Sequence, residues 1–218
     1  MDSSRQVVDL SLRYALELIE THVDELGALD AAAGDGDHGT TMVRGLRAAN
    51  DAIGNLSADV TAGQALITAG SAFADAAGGA SGALFGVFLT GIGQQLADGL
   101  SDDAAVSRAV ANAASTAARM GKAVVGDKTF VDTLSPFVTT LDDGVARGLK
   151  LAEAWRQALP AAEQGMASTA GMLARKGRAS RLGERSREGL DPGAVSMYYL
   201  LLTAGAALEE SCQDNVSE

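Results

Sequence analysis

Three aspartates, Asp30, Asp35 and Asp37, fall within eight residues, and the last leads into the run "HGTTM". Carboxylates this close repel one another unless a cation sits among them. Hard divalent cations such as Mg²⁺ take oxygen ligands and are commonly held by carboxylates together with substrate phosphate oxygens. Asp35 and Asp37 are two apart, so in an extended loop their side chains point the same way. The chemistry such a cluster serves is the binding of phosphate through Mg²⁺; the plainer alternative is a solvated acidic turn ahead of a helix. The spacing is not that of an EF-hand, no GxxxxGK[ST] loop occurs, and "GKA" at 121–123 lacks the hydroxyl. His38 either donates to a phosphate oxygen or braces the loop. Thr40 and Thr41 are ordinary helix-cap residues whose hydroxyls also suit phosphate or Mg²⁺.

The same character recurs at three other junctions: "GGASG" (78–82), "GDKT" (126–129) and "ARKGRASRLGERSREGLDPGA" (174–194). Each immediately precedes a predicted helix, as does "GDGDHGTTM" (34–42). A helix start offers unpaired N–H groups and a partial positive charge, which favour phosphate. Glycine lets the backbone approach an anion closely. The last junction carries Arg175, Lys176, Arg178, Arg181, Arg185 and Arg187. It reads as a solvated surface loop, as a flexible lid over about 175–190 whose arginines grip phosphate, or as a docking surface for an acidic partner.

Helices must position these junctions. Val8, Leu12, Ala15, Ile19, Val23 and Leu26 form one apolar stripe at helical spacing. Further helices are predicted from about Thr40, over Thr61–Ala77, Ser81–Leu96 and 102–121, and over Phe130–Leu141 with Pro136 bending it or in its first turn. Another covers Leu149–Ala174 with a kink at Pro160. The last opens at "DPGA", with Asp191 as cap and Pro192 as first residue, and ends near Leu208. That last helix is apolar almost all round, which places Tyr198 and Tyr199 in or near the core. His22 reads as a surface or packing residue. The fold class is therefore all-α, eight helices in one domain over 1–218.

Composition agrees. Hydrophobic residues make up 47% of 218 residues, enough for a sizeable core. There are 17 basic and 28 acidic residues, net −11, a surface that repels nucleic acid and anionic lipid. Cys212 is the single cysteine, so no internal disulfide forms. The uncharged run Gly193–Leu208 in the last helix is short of the roughly 20 residues needed to span a bilayer. With no signal-peptide core at the N-terminus, a cytoplasmic protein is expected.

Taken in order, "GDGDHGTTM", "GGASG", "GDKT", "ARKGRAS" and "DPGA" resemble the nucleotide-binding L subunit of dihydroxyacetone kinases over nearly the whole chain. The resemblance implies a barrel of eight antiparallel helices with ADP or ATP bound at one end through two Mg²⁺ ions. It implies Asp30, Asp35 and Asp37 as metal ligands. His38, Gly39, Thr40 and Thr41 would cradle the phosphates, with further contacts from Gly79, Ala80 and Ser81. Gly121, Phe130, Arg178, Asp191, Pro192 and Gly193 would line the rest of the nucleotide site, Arg178 also acting in catalysis; Phe130 stands where an aliphatic residue is expected. The resemblance implies a separate K subunit that holds the ketose, dihydroxyacetone or a four-carbon relative. "LGERS" at 182–186 resembles the version in which bound ADP is rephosphorylated by a phosphotransferase-system carrier protein, rather than exchanged for ATP. Two other readings stand beside the kinase subunit: a nucleotide-binding regulatory module, and a Mg²⁺-dependent phosphohydrolase, for which the sequence offers no obvious general base.

Overall fold

The computed structural model describes residues 3–32, 34–97 and 102–214. They form α1 (Ser3–Thr21), α2 (Val23–Ala31), α3 (His38–Gly54), α4 (Ala62–Ala77), α5 (Gly79–Leu96), α6 (Asp103–Gly121), α7 (Phe130–Ala146), α8 (Leu151–Ser168) and α9 (Pro192–Asp214). A 3₁₀ segment, Ala179–Arg187, lies between α8 and α9. No strand occurs among the described residues.

Each long helix packs on the next, α1 on α3, then α4, α5, α6, α7, α8 and α9, and α9 packs back on α1. Eight long helices thus close a ring whose successive members alternate in direction, most joined by short connections and two by longer ones that hold α2 and the 3₁₀ segment. This alternation gathers the connections before α3, α5, α7 and α9 at one end, which are the four glycine-rich junctions. The interior is filled by Phe73, Phe137, Ile19, Leu26, Met42 and Leu46, all fully buried. Towards the other end a cavity of about 580 Å³ remains, lined by residues such as Leu12, Leu66, Phe88 and Trp155. No described helix is long and apolar enough to cross a membrane.

The eight-helix expectation holds for the ring, with α2 added to it. The first apolar stripe does not form one helix: it divides at His22, whose φ of −114° and ψ of 15° leave the helical region. There the Thr21 hydroxyl and the His22 ring both bond the Leu18 carbonyl, at 2.7 and 2.8 Å. Side-chain bonds of this kind compete with the helical ladder. Leu26 still faces the core, so the stripe keeps its register across the break.

Pro136 sits in the second turn of α7, not the first. Its missing N–H frees the carbonyl of Asp132, four residues back. Gly165 of α8 fills that gap: a Cβ there would lie 2.1 Å from the Asp132 oxygen. Pro136 and Gly165 thus let α7 and α8 approach closely. Helix α8 stops at Ser168, short of the expected Ala174, because the Thr169 hydroxyl turns back to the Met166 carbonyl at 2.7 Å and Gly171 takes a φ of +80°. Tyr198 and Tyr199 are half-buried against the core, and His22 stacks 4.7 Å from Tyr199.

Candidate functional site

Asp30 lies in the last turn of α2, Asp35 in the following loop, and Asp37 at the cap position of α3. One carboxylate oxygen from each lies within 4.8 Å of the others. Asp30 organises the group: its Oδ2 accepts the backbone N–H of Asp37 at 3.0 Å and of His38 at 3.3 Å. Gly36, at φ +77°, makes the turn between Asp35 and Asp37. Asp37 gives α3 no side-chain cap, and both Asp35 and Asp37 are exposed. The donor set is oxygen only, anionic and open on one side, which fits Mg²⁺ completed by phosphate oxygens and water.

The four helix starts are not equivalent. Those of α7 and α9 are closed by their own side chains. Thr129 and Asp132 form a reciprocal capping box on α7, and Asp191 accepts the Ala194 N–H at 2.8 Å on α9. The starts of α3 and α5 carry no side-chain cap. Apart from the His38 N–H, which Asp30 already takes, their orphan N–H groups are the ones free to take an anion. Gly78 and Gly79, at φ +68° and +62°, make the tight turn into α5, and a Cβ on either would meet nothing within 4 Å. Ala80 is exposed and Ser81 half-exposed beside them. Arg44 ties the two open starts together, donating to the carbonyls of Ala76 at 2.6 Å and Ala77 at 2.8 Å and to the Thr41 hydroxyl at 3.4 Å.

The remaining expected residues divide between the open surface and its support. Thr40 is exposed and its hydroxyl donates to Asp37 O at 2.9 Å, whereas Thr41 is buried. His38 is buried; its ring contacts the Pro192 backbone and its Nε2 lies 2.9 Å from Ser196 Oγ. Burial holds its pKa below the usual value against the pull of Asp30 and Asp37. In this arrangement the side chain links α3 to α9. Phe130 is 6% exposed and packs 6.3 Å from the Phe85 ring, so it supports the site from within the core. Gly121 ends α6, next to the exposed apolar side chains of Met120, Val124 and Val125. Arg178, at the head of the 3₁₀ segment, forms an ion pair with Asp35. It brings the basic segment to the carboxylates directly.

Gly39 is where α3 presses on the chain before it. A Cβ there would lie 2.2 Å from the Val23 carbonyl oxygen. Gly39→Ala is therefore expected to lower stability by roughly 1–3 kcal/mol and to shift the α3 start, read as a lower melting temperature. An unchanged melting curve would show that α2 moves aside freely.

Among the described residues, Asp191 is the one strongly perturbed carboxyl. Burial pushes its pKa up to about 7, against the lowering effect of the Ala194 N–H and of Lys128. The folded carboxyl then holds its proton more tightly than the unfolded one, so its contribution to stability falls as pH rises from about 4 to about 7. Relative to Asp191→Asn, the nucleotide-free protein is expected to lose on the order of 1–3 kcal/mol between pH 5 and pH 8. A constant difference in denaturation midpoint across that range would contradict this.

Sequence reasoning passed over Arg44, Ser196 and Lys128. The signal available for Lys128 was its place inside "GDKT", a charged residue within a turn where glycine or asparagine is usual.

Comparison with known proteins gives the same assignment from a different direction. The DAK2 domain family model matches residues 32–206. The chain is 42% identical over 203 residues to an L-erythrulose kinase of Pectobacterium atrosepticum, covering 92% of this chain and 34% of that protein. It is 35% identical over 210 residues to the ADP-binding subunit DhaL of the PEP-dependent dihydroxyacetone kinase of Escherichia coli, covering 95% of this chain and 99% of that one. It thus spans about a third of the erythrulose kinase and nearly all of the DhaL subunit. The dihydroxyacetone kinase of C. freundii, solved in complex with AMP-PNP and Mg²⁺, superposes with a TM-score of 0.68 at 26% identity, over 93% of this chain and 33% of that one. The helical ring, the ordered motifs and these matches together make this chain a member of the DAK2 domain family.

Proposed function

We propose that the chain is the nucleotide-binding subunit of a short-chain ketose kinase, and that it hands a phosphoryl group to a ketose, dihydroxyacetone or an erythrulose, held on a separate K subunit. The observation that carries this is the convergence of three carboxylates within 4.8 Å beside the uncapped start of α3. Asp30, Asp35 and Asp37 would hold Mg²⁺, which we take as two ions. When bound, Mg²⁺ neutralises phosphate charge and fixes the nucleotide's orientation. The N–H groups at the starts of α3 and α5 donate to phosphate oxygens, and Arg44 keeps the two starts in register. Arg178 exchanges Asp35 for the moving phosphoryl group, meeting charge that develops in transfer. The chain's part in the reaction is positioning and electrostatics.

Retained ADP, refilled by a phosphorylated carrier protein, is our preferred version. The match to a PEP-dependent subunit over 99% of its length supports it. The higher identity to erythrulose kinases, which are not described as PEP-dependent, favours the ATP-exchanging alternative. A cytoplasmic location follows from either. A non-catalytic regulatory module on the same site is the second class of function.

The deciding experiment combines the purified chain with a K subunit and each ketose. Ketose phosphate is expected only when K and a phosphorylated carrier protein are both present. Repeated turnover on ATP alone would move the chain to the exchanging version. No ketose phosphate under any condition, with ADP bound, would leave the regulatory module.

A further inference from the structure

The basic lid has to leave α8 and return to α9 at fixed points if Arg178 is to meet the carboxylates. One side chain reaches both points. Lys128 is 4% exposed, and its Nζ donates to the Thr169 carbonyl at 2.8 Å and to the Gly189 carbonyl at 2.7 Å. Thr169 is the first residue after α8 and Gly189 lies three residues before α9. A single ammonium therefore closes the base of the whole lid, with Arg178 on the span between. Thr169 extends the clasp, its hydroxyl accepting the Asp191 N–H at 3.0 Å.

Stability alone does not call for this arrangement. Lys128 has a φ of +62°, in the left-handed region where side chains other than Gly and Asn are strained. Its charge is buried against neutral carbonyls, with the carboxylate of Asp191 nearby but not hydrogen-bonded to it in the contacts above. Desolvating an ammonium is costly, and a buried charge is often replaceable by an apolar side chain without loss of stability. What an apolar side chain could not do is hold two carbonyls twenty residues apart at one point.

We infer that Lys128 is a positioning residue for the nucleotide site: by clasping the Thr169 and Gly189 carbonyls it fixes the lid and the Asp191–Gly193 turn opposite the three carboxylates. The inference rests on the nucleotide reading above for its consequence, while the clasp itself is testable without nucleotide.

The test uses Lys128→Met, which keeps the stem and removes the donors, and Lys128→Gln as a milder second variant. In the nucleotide-free protein, trypsin is expected to cut within 175–187 at least tenfold faster in Lys128→Met than in wild type, with helix content unchanged by circular dichroism. Calorimetry should then show ADP with Mg²⁺ binding at least tenfold more weakly. Mn²⁺ binding without nucleotide, followed by electron paramagnetic resonance, should stay at the wild-type value, because the carboxylates lie on the end of α2 and its connection to α3, away from the clasp. Wild-type rates of cleavage in a folded variant would overturn the clasp. ADP affinity within twofold of wild type, or an equal loss of Mn²⁺ binding, would overturn the positioning role. If neither variant folds, Lys128 is a structural residue and the inference fails. If wild-type protein binds no ADP, the proposed function fails, and the trypsin comparison still decides the clasp.

Discussion

Asp37→Asn is expected to weaken binding of ADP with Mg²⁺ at least about a hundredfold, roughly 3 kcal/mol, and to stop phosphoryl transfer. Asp37 contributes no cap bond to α3, so the substitution leaves the helix start intact. It also removes one of three clustered negative charges. In the absence of cation that repulsion is a cost, so the nucleotide-free variant should melt at or slightly above the wild-type temperature. Loss of ligand binding without loss of stability separates a metal site from a structural turn. Asp35→Asn should behave alike, with one addition: it also frees Arg178 from its ion pair. Asp30 is a poorer test, because its carboxylate holds the N–H groups of Asp37 and His38 and its loss would disturb the loop. Calorimetric titration of the Asn variants decides the matter; wild-type affinity in both would sink the assignment of these carboxylates.

Arg178→Ala is the second large effect. In the nucleotide-free protein its pair with Asp35 lies largely in solvent, both side chains well exposed, so it adds at most about 1 kcal/mol to stability. In transfer the same guanidinium would face charge spread over the moving phosphoryl group, where an arginine is worth far more. We expect transfer to slow at least about a hundredfold, while ADP affinity falls less than about tenfold. Single-turnover kinetics with the K subunit, set beside calorimetry, separates the two. Equal losses of binding and rate would make Arg178 a plain phosphate anchor.

The ring of long helices was legible because eight apolar stripes and their glycine-rich breaks fall in sequence order. The clustering of Asp30, Asp35 and Asp37 was legible for the same local reason: all three fall within eight residues, from the end of α2 to the start of α3. What sequence spacing could not reveal was which helix starts close on themselves. "GDKT" and "DPGA" look as open to phosphate as "GGASG", yet Thr129, Asp132 and Asp191 turn back to cap their own helices. The division at His22 was hidden because the apolar stripe continues through it, and only the side-chain bonds to Leu18 O interrupt the ladder. Phe130, which the resemblance places at the nucleotide, packs its ring near Phe85 at the edge of the core, a contact no local spacing announced. Arg44 and Lys128 were invisible as site residues because their partners are backbone carbonyls more than thirty residues away in the chain.

The central claim is that this end of the ring binds a nucleotide through a divalent cation held by three aspartates. Titration of ADP into the wild-type protein, stripped of any bound nucleotide, tests it most directly when run once with Mg²⁺ and once with EDTA. The account predicts saturable one-to-one binding with Mg²⁺ and at least a hundredfold loss with the chelator. Equal ADP binding in both runs, or none in either, would contradict it.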